Sequence, residues 1–246
     1  MRFDFHIHSH YSYDSFNTIP NIITTALNKK LSGIAIADHG TFSGYREAYQ
    51  YMSSRSIDLL LIPAMEIQTP HGEIVALFIH KEITVRSFSD VIDEIKAQQG
   101  LSMLAHPFKR ARTIPETVVR AVDAIEVFNA RGQSLVSYDC NKKAHALARE
   151  NQKPGLAGSD AHFLWEIGRG VAEFGNIKNL DQLKKEITQG HTQRIHGAKT
   201  SLYAEVLSQG VKYIKRRQSV SLFSIIKRFL RTIRWYIKTI ISGELP

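Results

Sequence analysis

The stretch that decides the fold is FDFHIHSHYSYDS, residues 3–15. Apolar side chains fill every odd position from Phe3 to Ile7, and polar side chains, including those of His6 and His8, lie between and after them. Alternation with a period of two is typical of a β-strand, whose successive side chains point to opposite faces. We therefore predict a first strand that presents His6 and His8 side by side, opposite an apolar row.

Four further apolar runs also end in side chains that can bind a metal. GIAIADH ends in His39, LLLIPAME in Glu66, LSMLAHP in His106, and GLAGSDAH in Asp160 and His162. In an α/β barrel the carboxyl ends of the strands meet on one face, where active sites lie. The five runs thus bring imidazoles and carboxylates to one cavity, and the sequence predicts a polynuclear metal site there.

Strand-like and helix-like segments alternate along most of the chain. We predict strands at residues 2–8, 33–38, 59–64, 73–79, 101–105, 124–128 and 155–158, and helices at residues 20–30, 43–53, 87–99, 135–151 and 180–189. This alternation favours a largely parallel sheet or an α/β barrel, and 246 residues suffice for one such domain.

Composition restricts the cellular setting of the protein. Cys140 is the only cysteine, so no internal disulfide forms, which is typical of a reducing compartment. No uncharged stretch is long enough to span a bilayer, so we predict no transmembrane segment. We expect a cytoplasmic protein.

The net charge of +9 is concentrated in the last part of the chain. Nine basic residues of segment 211–246 are opposed by Glu244 alone, which gives that segment a charge of +8. We place a domain at residues 1–205 and a basic tail at residues 206–246. Residues 221–243 of the tail have helical periodicity, with an apolar face and a basic face. The apolar face comprises Leu222, Ile225, Ile226, Phe229, Ile233, Tyr236, Ile237 and Ile240, and the basic face comprises Lys227, Arg231, Arg234 and Lys238.

Three interpretations of this amphipathic helix stay open. Its apolar face packs against the barrel or against a second subunit. Alternatively, the helix lies on an anionic membrane surface, which would place the protein at the inner face of the membrane. The third interpretation, the least favoured, is contact with nucleic-acid phosphates.

Taken together, the motifs resemble the PHP (polymerase and histidinol phosphatase) domain of metal-dependent phosphoesterases. The matching stretches occur in family order: DFHIHSHYSYDS, IADHG, AMEIQTPHGEI, LAHPFKRAR, DAIEVFNAR and GSDAH. The resemblance implies a distorted (β/α)7 TIM-like barrel, to which this chain adds the basic C-terminal helix. It favours a stand-alone phosphoesterase over a polymerase domain.

The resemblance also implies ligands for a cluster of two or three divalent metals. His6, His8, Glu66 and Asp160 would hold one ion, Glu66 would bridge to a second ion that also uses His106, and Asp14, His39 and His162 would hold the third. Many members carry a further histidine where this chain has Glu73, so we predict Glu73 as the replacement and His71 as a weaker rival. Histidine and carboxylate ligands suit Mn, Zn or Fe.

Basic residues near these motifs are candidates for substrate binding. The candidates are Lys109, Arg110, Arg112, Arg131 and Arg169. Positive groups beside a metal cluster bind phosphate oxygens through charge-assisted hydrogen bonds. We favour Arg112 and Arg131 as catalytic groups that stabilise developing charge, and we predict that His162 serves the leaving oxygen.

The sequence contains no catalytic cysteine motif, no recognisable Ser-His-Asp set and no glycine-rich phosphate loop. We therefore predict a metal-dependent hydrolase of small phosphate esters that uses a metal-bridging hydroxide. One alternative is an exonuclease or phosphodiesterase that acts on short oligonucleotides or nucleotides. The other is a non-catalytic metal-binding module with a regulatory or membrane-recruited role.

Overall fold

A computed structural model describes residues 1–132, 139–216, 226–227 and 229–234. The strands are β1 (Arg2–Ile7), β2 (Gly33–Ile36), β3 (Leu60–Thr69), β4 (Gly72–Leu77), β5 (Leu101–Leu104), β6 (Ala124–Asn129), β7 (Gly155–Gly158), β8 (Gly170–Glu173) and β9 (Arg194–Gly197). The α-helices are α1 (Ile19–Asn28), α2 (Ser43–Ser53), α3 (Phe88–Ala97), α4 (Glu116–Ala121), α5 (Cys140–Glu150), α6 (Leu180–Thr188) and α7 (Leu202–Lys215).

The strands form one mixed sheet in the order β7-β6-β5-β4-β3-β2-β1-β8-β9. Strands β1, β2 and β3 are parallel to one another, as are β5, β6 and β7. Strand β4 is antiparallel to both neighbours, and a short turn joins it to β3 in a hairpin. A bridge between Ile7 and Ala161 brings the chain after β7 back to β1 and nearly closes the sheet. The predicted distorted TIM-like barrel is confirmed, and β4 is the main distortion.

Apolar side chains fill the inside of the barrel at the end opposite the carboxyl ends of its parallel strands. One buried cluster takes residues from every strand between β1 and β8, and only the barrel interior is within reach of all of them. Leu183 and Ile187 of α6 join this cluster and cover its open end. The remaining helices lie outside, where α1 and α2 pack on one side of the sheet and α3, α4 and α5 on another.

Strand β1 changes phase along its length. Phe3 and Phe5 belong to the interior cluster, whereas Ile7 packs outside with α1 and α2. The cause is an irregularity between Asp4 and Ile7 in the pairing of β1 with β2. The predicted apolar row opposite the histidines is therefore wrong for Phe3 and Phe5, which face the interior as His6 does.

Local sequence explains where several helices begin. Pro20 lies in the first turn of α1, where its missing N–H costs nothing. The side chains of Ser87 and Asn179 accept hydrogen bonds from backbone N–H groups in the first turns of α3 and α6. Each of these helices buries one apolar face against the barrel.

The C-terminal region is described in part. Helix α7 buries Leu202, Ala204 and Val211. Residues 226–227 and 229–234 are helical, and the Phe229 ring lies 6.2 Å from the Tyr203 ring of α7. The rest of the predicted helix at 221–243 lies outside the described residues, as do residues 135–138 of the helix predicted at 135–151, which the structure has as α5. In the part of the chain that the structure describes, no helix combines the length and apolarity that crossing a membrane requires.

Candidate metal centre

The predicted metal ligands lie together at the carboxyl end of the barrel. His6 lies in β1, Glu66 in β3 and Glu73 in β4, while His8, Asp14, His39, His106, Asp160 and His162 lie in the segments that follow β1, β2, β5 and β7. All of them are buried except His39, whose side chain is 16% exposed. Burying so many ionisable groups is unfavourable unless they are paired or coordinate a metal. The cluster is therefore a candidate for function rather than for stability.

A first group consists of His6, His8 and Asp160. His6 Nε2 is 3.1 Å from His8 Nε2, and Asp160 Oδ1 is 3.3 Å from His8 Nε2 and 3.9 Å from His6 Nε2. Atoms that bind one ion tetrahedrally at 2.0–2.1 Å lie roughly 3.4 Å from one another. The spacing of these three ligand atoms fits a single divalent ion.

Glu66 stands between this group and two others. Its Oε1 is 3.4 Å from His6 Nε2 and 3.2 Å from His106 Nε2. Its Oε2 is 2.6 Å from His39 Nδ1 and 3.7 Å from His8 Nε2. Each carboxylate oxygen thus faces a different set of imidazoles, which is the arrangement that a bridging ligand needs.

Glu73 completes the surroundings of His106. Glu73 Oε2 is 3.7 Å from His106 Nε2, and Glu73 Oε1 accepts a hydrogen bond of 3.0 Å from Arg110 Nη1. The rival ligand His71 is exposed, and its ring packs edge-on against Phe88. The structure thus brings Glu73, and not His71, to the cluster.

The third group contains Asp14, His39 and His162. Asp14 Oδ1 is 3.4 Å from His39 Nε2 and 3.2 Å from His162 Nε2. His8 also approaches His39 and His162 closely enough to share a ligand group with them. Tyr13 stacks on the His39 ring with a centroid separation of 4.6 Å.

Carboxylates behind the ligands fix the orientation of the imidazoles. His6 Nδ1 lies 3.2 Å from Glu126 Oε1, so Nε2 is the nitrogen that faces the site. His8 Nδ1 lies 3.0 Å from Ser12 Oγ, which in turn donates to Asp38 Oδ1. Glu126 was missing from our predicted site, although a lone glutamate inside the apolar strand AIEVFN is a readable signal for it.

A glycine allows the strands to approach one another at this point. A Cβ atom on Gly158 would lie 2.3 Å from His6 Cβ and 2.5 Å from Glu126 Oε1, far inside van der Waals contact. Any larger residue at the end of β7 would therefore displace His6 or its partner. The absence of a side chain here lets β7 lie directly beside His6 and Glu126.

Two features of the cluster fit residues that share a cation. Asp14 Oδ1 and Glu66 Oε2 are buried, and neither makes a hydrogen bond within the described residues. His106 and Asp160 have φ angles of 27° and 53°, in a region that costs a non-glycine residue about 1–3 kcal/mol. Buried carboxylate oxygens without hydrogen bonds, beside residues held in an unfavourable backbone conformation, fit a preformed metal site.

The electrostatics of the cluster also fit a metal site. Burial would raise the pKa of Glu66, but His39 and His6 hold that pKa well below its usual range. Burial lowers the pKa of His39, but Glu66 and Asp14 raise it to about 10. The metal-free cluster thus contains protonated histidines beside ionised carboxylates, and a divalent ion that binds here displaces protons.

Comparison with known proteins identifies the family. A family model described as PHP-associated matches residues 140–192. The uncharacterized protein MJ0417 of Methanocaldococcus jannaschii is 31% identical over 195 residues, a match that covers 74% of this chain and 75% of the relative. The chain belongs to the PHP domain family. A second M. jannaschii protein, MJ1587, is 31% identical over 143 residues, with 53% of this chain and 82% of that protein covered.

Solved structures share the PHP fold at low sequence identity. A two-domain protein of Bacteroides vulgatus, which contains a predicted PHP-like metal-dependent phosphoesterase, superposes with a TM-score of 0.65 and 15% identity. That match covers 85% of this chain and 69% of the other. An amidohydrolase of Chromobacterium violaceum, solved with bound sulfate and no metal, has a TM-score of 0.56 and 17% identity over 76% of this chain and 96% of its own.

The structure places some of the predicted substrate-binding residues of this PHP domain at the metal cluster and others away from it. Lys109 Nζ donates to Asp160 Oδ2 at 2.8 Å, and Arg110 reaches Glu73, so both lie at the cluster. Arg112 is exposed on the same loop. Arg169 donates to Lys199 O.

Arg131 is held below the loop that carries His162. Its Nε and Nη2 donate to the two oxygens of Glu166 at 2.7 and 2.6 Å, and its Nη1 donates to Ser208 Oγ at 2.8 Å. Glu166 Oε2 also accepts from the backbone N–H of His162. These contacts favour a structural role for Arg131, and our prediction of a catalytic role stays untested.

Helix α7 adds basic residues at the mouth of the PHP site. Lys212 Nζ lies 4.6 Å from the centre of the Tyr13 ring, and Arg216 Cζ lies 4.1 Å from it. Sequence reasoning assigned both residues to the basic tail. Only the folded chain reveals their position, because the approach joins segments about two hundred residues apart.

Proposed function

We propose that this PHP protein hydrolyses phosphate esters of small molecules with two or three bound divalent ions, drawn from Mn, Zn and Fe. The observation that carries the proposal is the position of Glu66, whose two oxygens face different imidazole groups. Divalent ions bound at such a site act as Lewis acids and lower the pKa of water towards neutrality. The phosphoesterase named among the structural neighbours has the same fold, which supports the reaction class.

The chain's own residues have distinct roles in this proposal. His6, His8, Asp14, His39, Glu66, Glu73, His106, Asp160 and His162 are the proposed ligands. Lys109 and Arg110, which carry positive charge beside Asp160 and Glu73, neutralise the phosphate oxygens and orient the ester. Arg112 lies on the same loop and extends this positive surface outward.

His162 has a constrained proton position. Its Nδ1 lies 2.8 Å from Asp160 O, a carbonyl oxygen that only accepts, so Nδ1 carries a proton. Its Nε2 faces Asp14 Oδ1 at 3.2 Å. Because one nitrogen lone pair binds either a metal or a proton, His162 would be a ligand while Nε2 holds an ion, and it would serve the leaving oxygen only in a state in which Nε2 carries a proton instead.

Several expectations accompany the proposal. We retain the PHP domain at residues 1–205, the basic tail at 206–246 and a cytoplasmic location, with the tail directed to an anionic membrane surface or to self-association. Hydrolysis of short oligonucleotides and a non-catalytic metal-binding role are the competing functions.

The test is an activity screen on purified protein whose metal content has been measured. We expect turnover of soluble phosphate monoesters after supply of Mn, Zn or Fe, and loss of turnover after chelation. Glu116→Gln, which changes a carboxylate on the exposed face of α4, is the matched control for carboxylate substitutions in the cluster. Turnover of oligonucleotides alone would support the nuclease alternative, and fully loaded protein without turnover of any ester would support the non-catalytic one.

A further inference from the structure

Lys215, in the last turn of α7, is bonded to the loop that follows β1. Its Nζ donates to three backbone carbonyls, those of His10 at 2.5 Å, Ser12 at 2.7 Å and Ser15 at 2.9 Å. An ammonium group has three donors, and each has an acceptor here. The ammonium also lies 5.5 Å from the centre of the Phe16 ring.

The loop held by Lys215 carries parts of two ligand groups. Asp14 lies between Ser12 and Ser15, two of the anchored residues, and its Oδ1 is buried without a hydrogen bond among the described residues. Ser12 contacts His8 Nδ1 through its hydroxyl and accepts from the backbone N–H of His39. A shift of this loop would therefore move Asp14 directly and loosen the support of His8.

The carbonyls of this loop have few alternative partners. The backbone bonds within the loop run from His10 N to Asn17 O, from Ser12 N to Ser9 O and, at 3.5 Å, from Ser15 N to Ser12 O, and Asp38 accepts from Ser9 and Ser12. The loop forms no regular helix or strand, so its own backbone constrains Asp14 weakly. The three bonds from Lys215 add to these contacts on both sides of Asp14, and hydrogen bonds to charged groups are stronger than neutral ones.

We propose that Lys215 is a positioning residue that holds Asp14 in place for the third metal ion. The inference rests on the proposed metal function and assigns α7 to the site. The other ligand groups take no ligand from this loop beyond His8, so their affinity depends less on Lys215.

The experiment compares Lys215→Met with the wild type and with Lys153→Met. Lys153 is a matched control, because its Nζ also donates to two backbone carbonyls, those of Arg120 and Val122, in a region that contributes no ligand. Full-length proteins are stripped of metal and titrated with Co²⁺, whose visible spectrum reports coordination, and the bound ions are counted by elemental analysis.

We expect Lys215→Met to weaken binding of the last ion by about tenfold to a hundredfold, the range found for groups that support metal ligands. The tighter ions should still bind, Lys153→Met should match the wild type, and Lys215→Arg should restore part of the affinity. A purely structural lysine would lower the unfolding temperature of the metal-free protein and leave the number and affinity of bound ions unchanged.

Equal Co²⁺ titrations of Lys215→Met and wild type would overturn the inference and leave the proposed function standing. A wild type that binds no Co²⁺ would instead refute the proposed function. If Lys215→Met fails to fold, Lys215→Arg decides the matter, because a planar guanidinium cannot reproduce three carbonyl contacts from one atom: weaker binding of the last ion than in the wild type supports the inference, and unchanged affinity overturns it.

Discussion

The two ends of the barrel interior are equally buried and chemically opposite. Phe5 belongs to an apolar cluster that runs across eight strands, and His6, the next residue, belongs to the cluster of imidazoles and carboxylates. Both residues are 0% exposed. The first end lowers the free energy of the folded state by removing apolar surface from water, whereas the second buries ionisable groups at a cost.

The contrast shows how one strand serves both purposes. The irregularity in β1 between Asp4 and Ile7 brings Phe5 and His6 to the same interior, where alternation would have separated them. Stability and function therefore reside in adjacent residues, yet substitutions at the two ends should have different consequences.

The largest expected effect is on stability at the apolar end. Phe5→Ala removes a ring that lies 6.1 Å from the Phe3 ring and 6.2 Å from the Phe174 ring, and we expect a loss of about 3–5 kcal/mol. Urea unfolding of the metal-free protein measures it. Leu27→Ala, at a 41% exposed position on α1, is the control and should change stability far less. A loss below about 1 kcal/mol for Phe5→Ala would contradict the assignment of this ring to the core.

The next effect is on catalysis at the polar end. Glu66→Gln keeps the shape of the side chain and removes the charge that faces two imidazole groups, so we expect hydrolysis to fall by at least about a hundredfold. The Glu66→Gln protein should still fold, because the apolar cluster at the other end of the barrel does not include this side chain. Glu116→Gln should retain full activity. Near-normal turnover by Glu66→Gln would mean that the reaction does not depend on this carboxylate.

A smaller effect concerns protons at the polar end. In the metal-free protein the pKa of His39 is about 10, so this side chain is protonated at pH 8, and Glu66, Glu126 and Asp160 raise the pKa of His6 well above its usual value. Metal binding must displace these protons, and metal affinity should therefore increase with pH until His39 titrates. Calorimetric titration in buffers of different ionisation enthalpy counts the released protons. Binding that releases no proton at pH 8 would contradict the pairing of protonated histidines with carboxylates.

The smallest effect is expected outside both ends. Deleting residues from 219 onward leaves Lys215 and all proposed ligands in place, so hydrolysis of a small soluble ester should be nearly unchanged. The deletion should abolish sedimentation with anionic liposomes, which salt should weaken in the intact protein. If the intact protein ignores such liposomes at low salt, the helix belongs to the fold or to a dimer, and the truncated protein should then aggregate or melt earlier.

Sequence alone predicted much of the barrel, because several of its strands combine a buried apolar run with a metal-ligating side chain at the carboxyl end. Strands β8 and β9 and helices α4 and α7 were not predicted. Strand β9 buries no side chain fully, so its sequence lacks the apolar run that marks the predicted strands. The change to a basic composition led us to place a boundary at residue 205, and the structure has one helix, α7, that spans this position from Leu202 to Lys215.

The candidate site, like the fold, was predicted only in part from the sequence. Its ligands were readable because each follows a buried run, and Glu126 was readable in principle as a charge within one. The contacts of Lys215 and the hydrogen bonds of Arg131 were not readable, since they depend on how α7 folds back onto the barrel. Local patterns identify which residues a strand presents. Tertiary packing decides which basic side chains bond to other parts of the protein and which face the substrate.

Elemental analysis of the purified protein tests the central claim most directly. After growth with Mn, Fe and Zn supplied, the chain should carry between two and three divalent ions, because three ligand groups converge around Glu66. The Phe5→Ala protein, if it folds at the growth temperature, should carry the same number. Less than one ion per chain in the wild type would contradict the account, since the polar end of the barrel would then lack the function that its buried charges require.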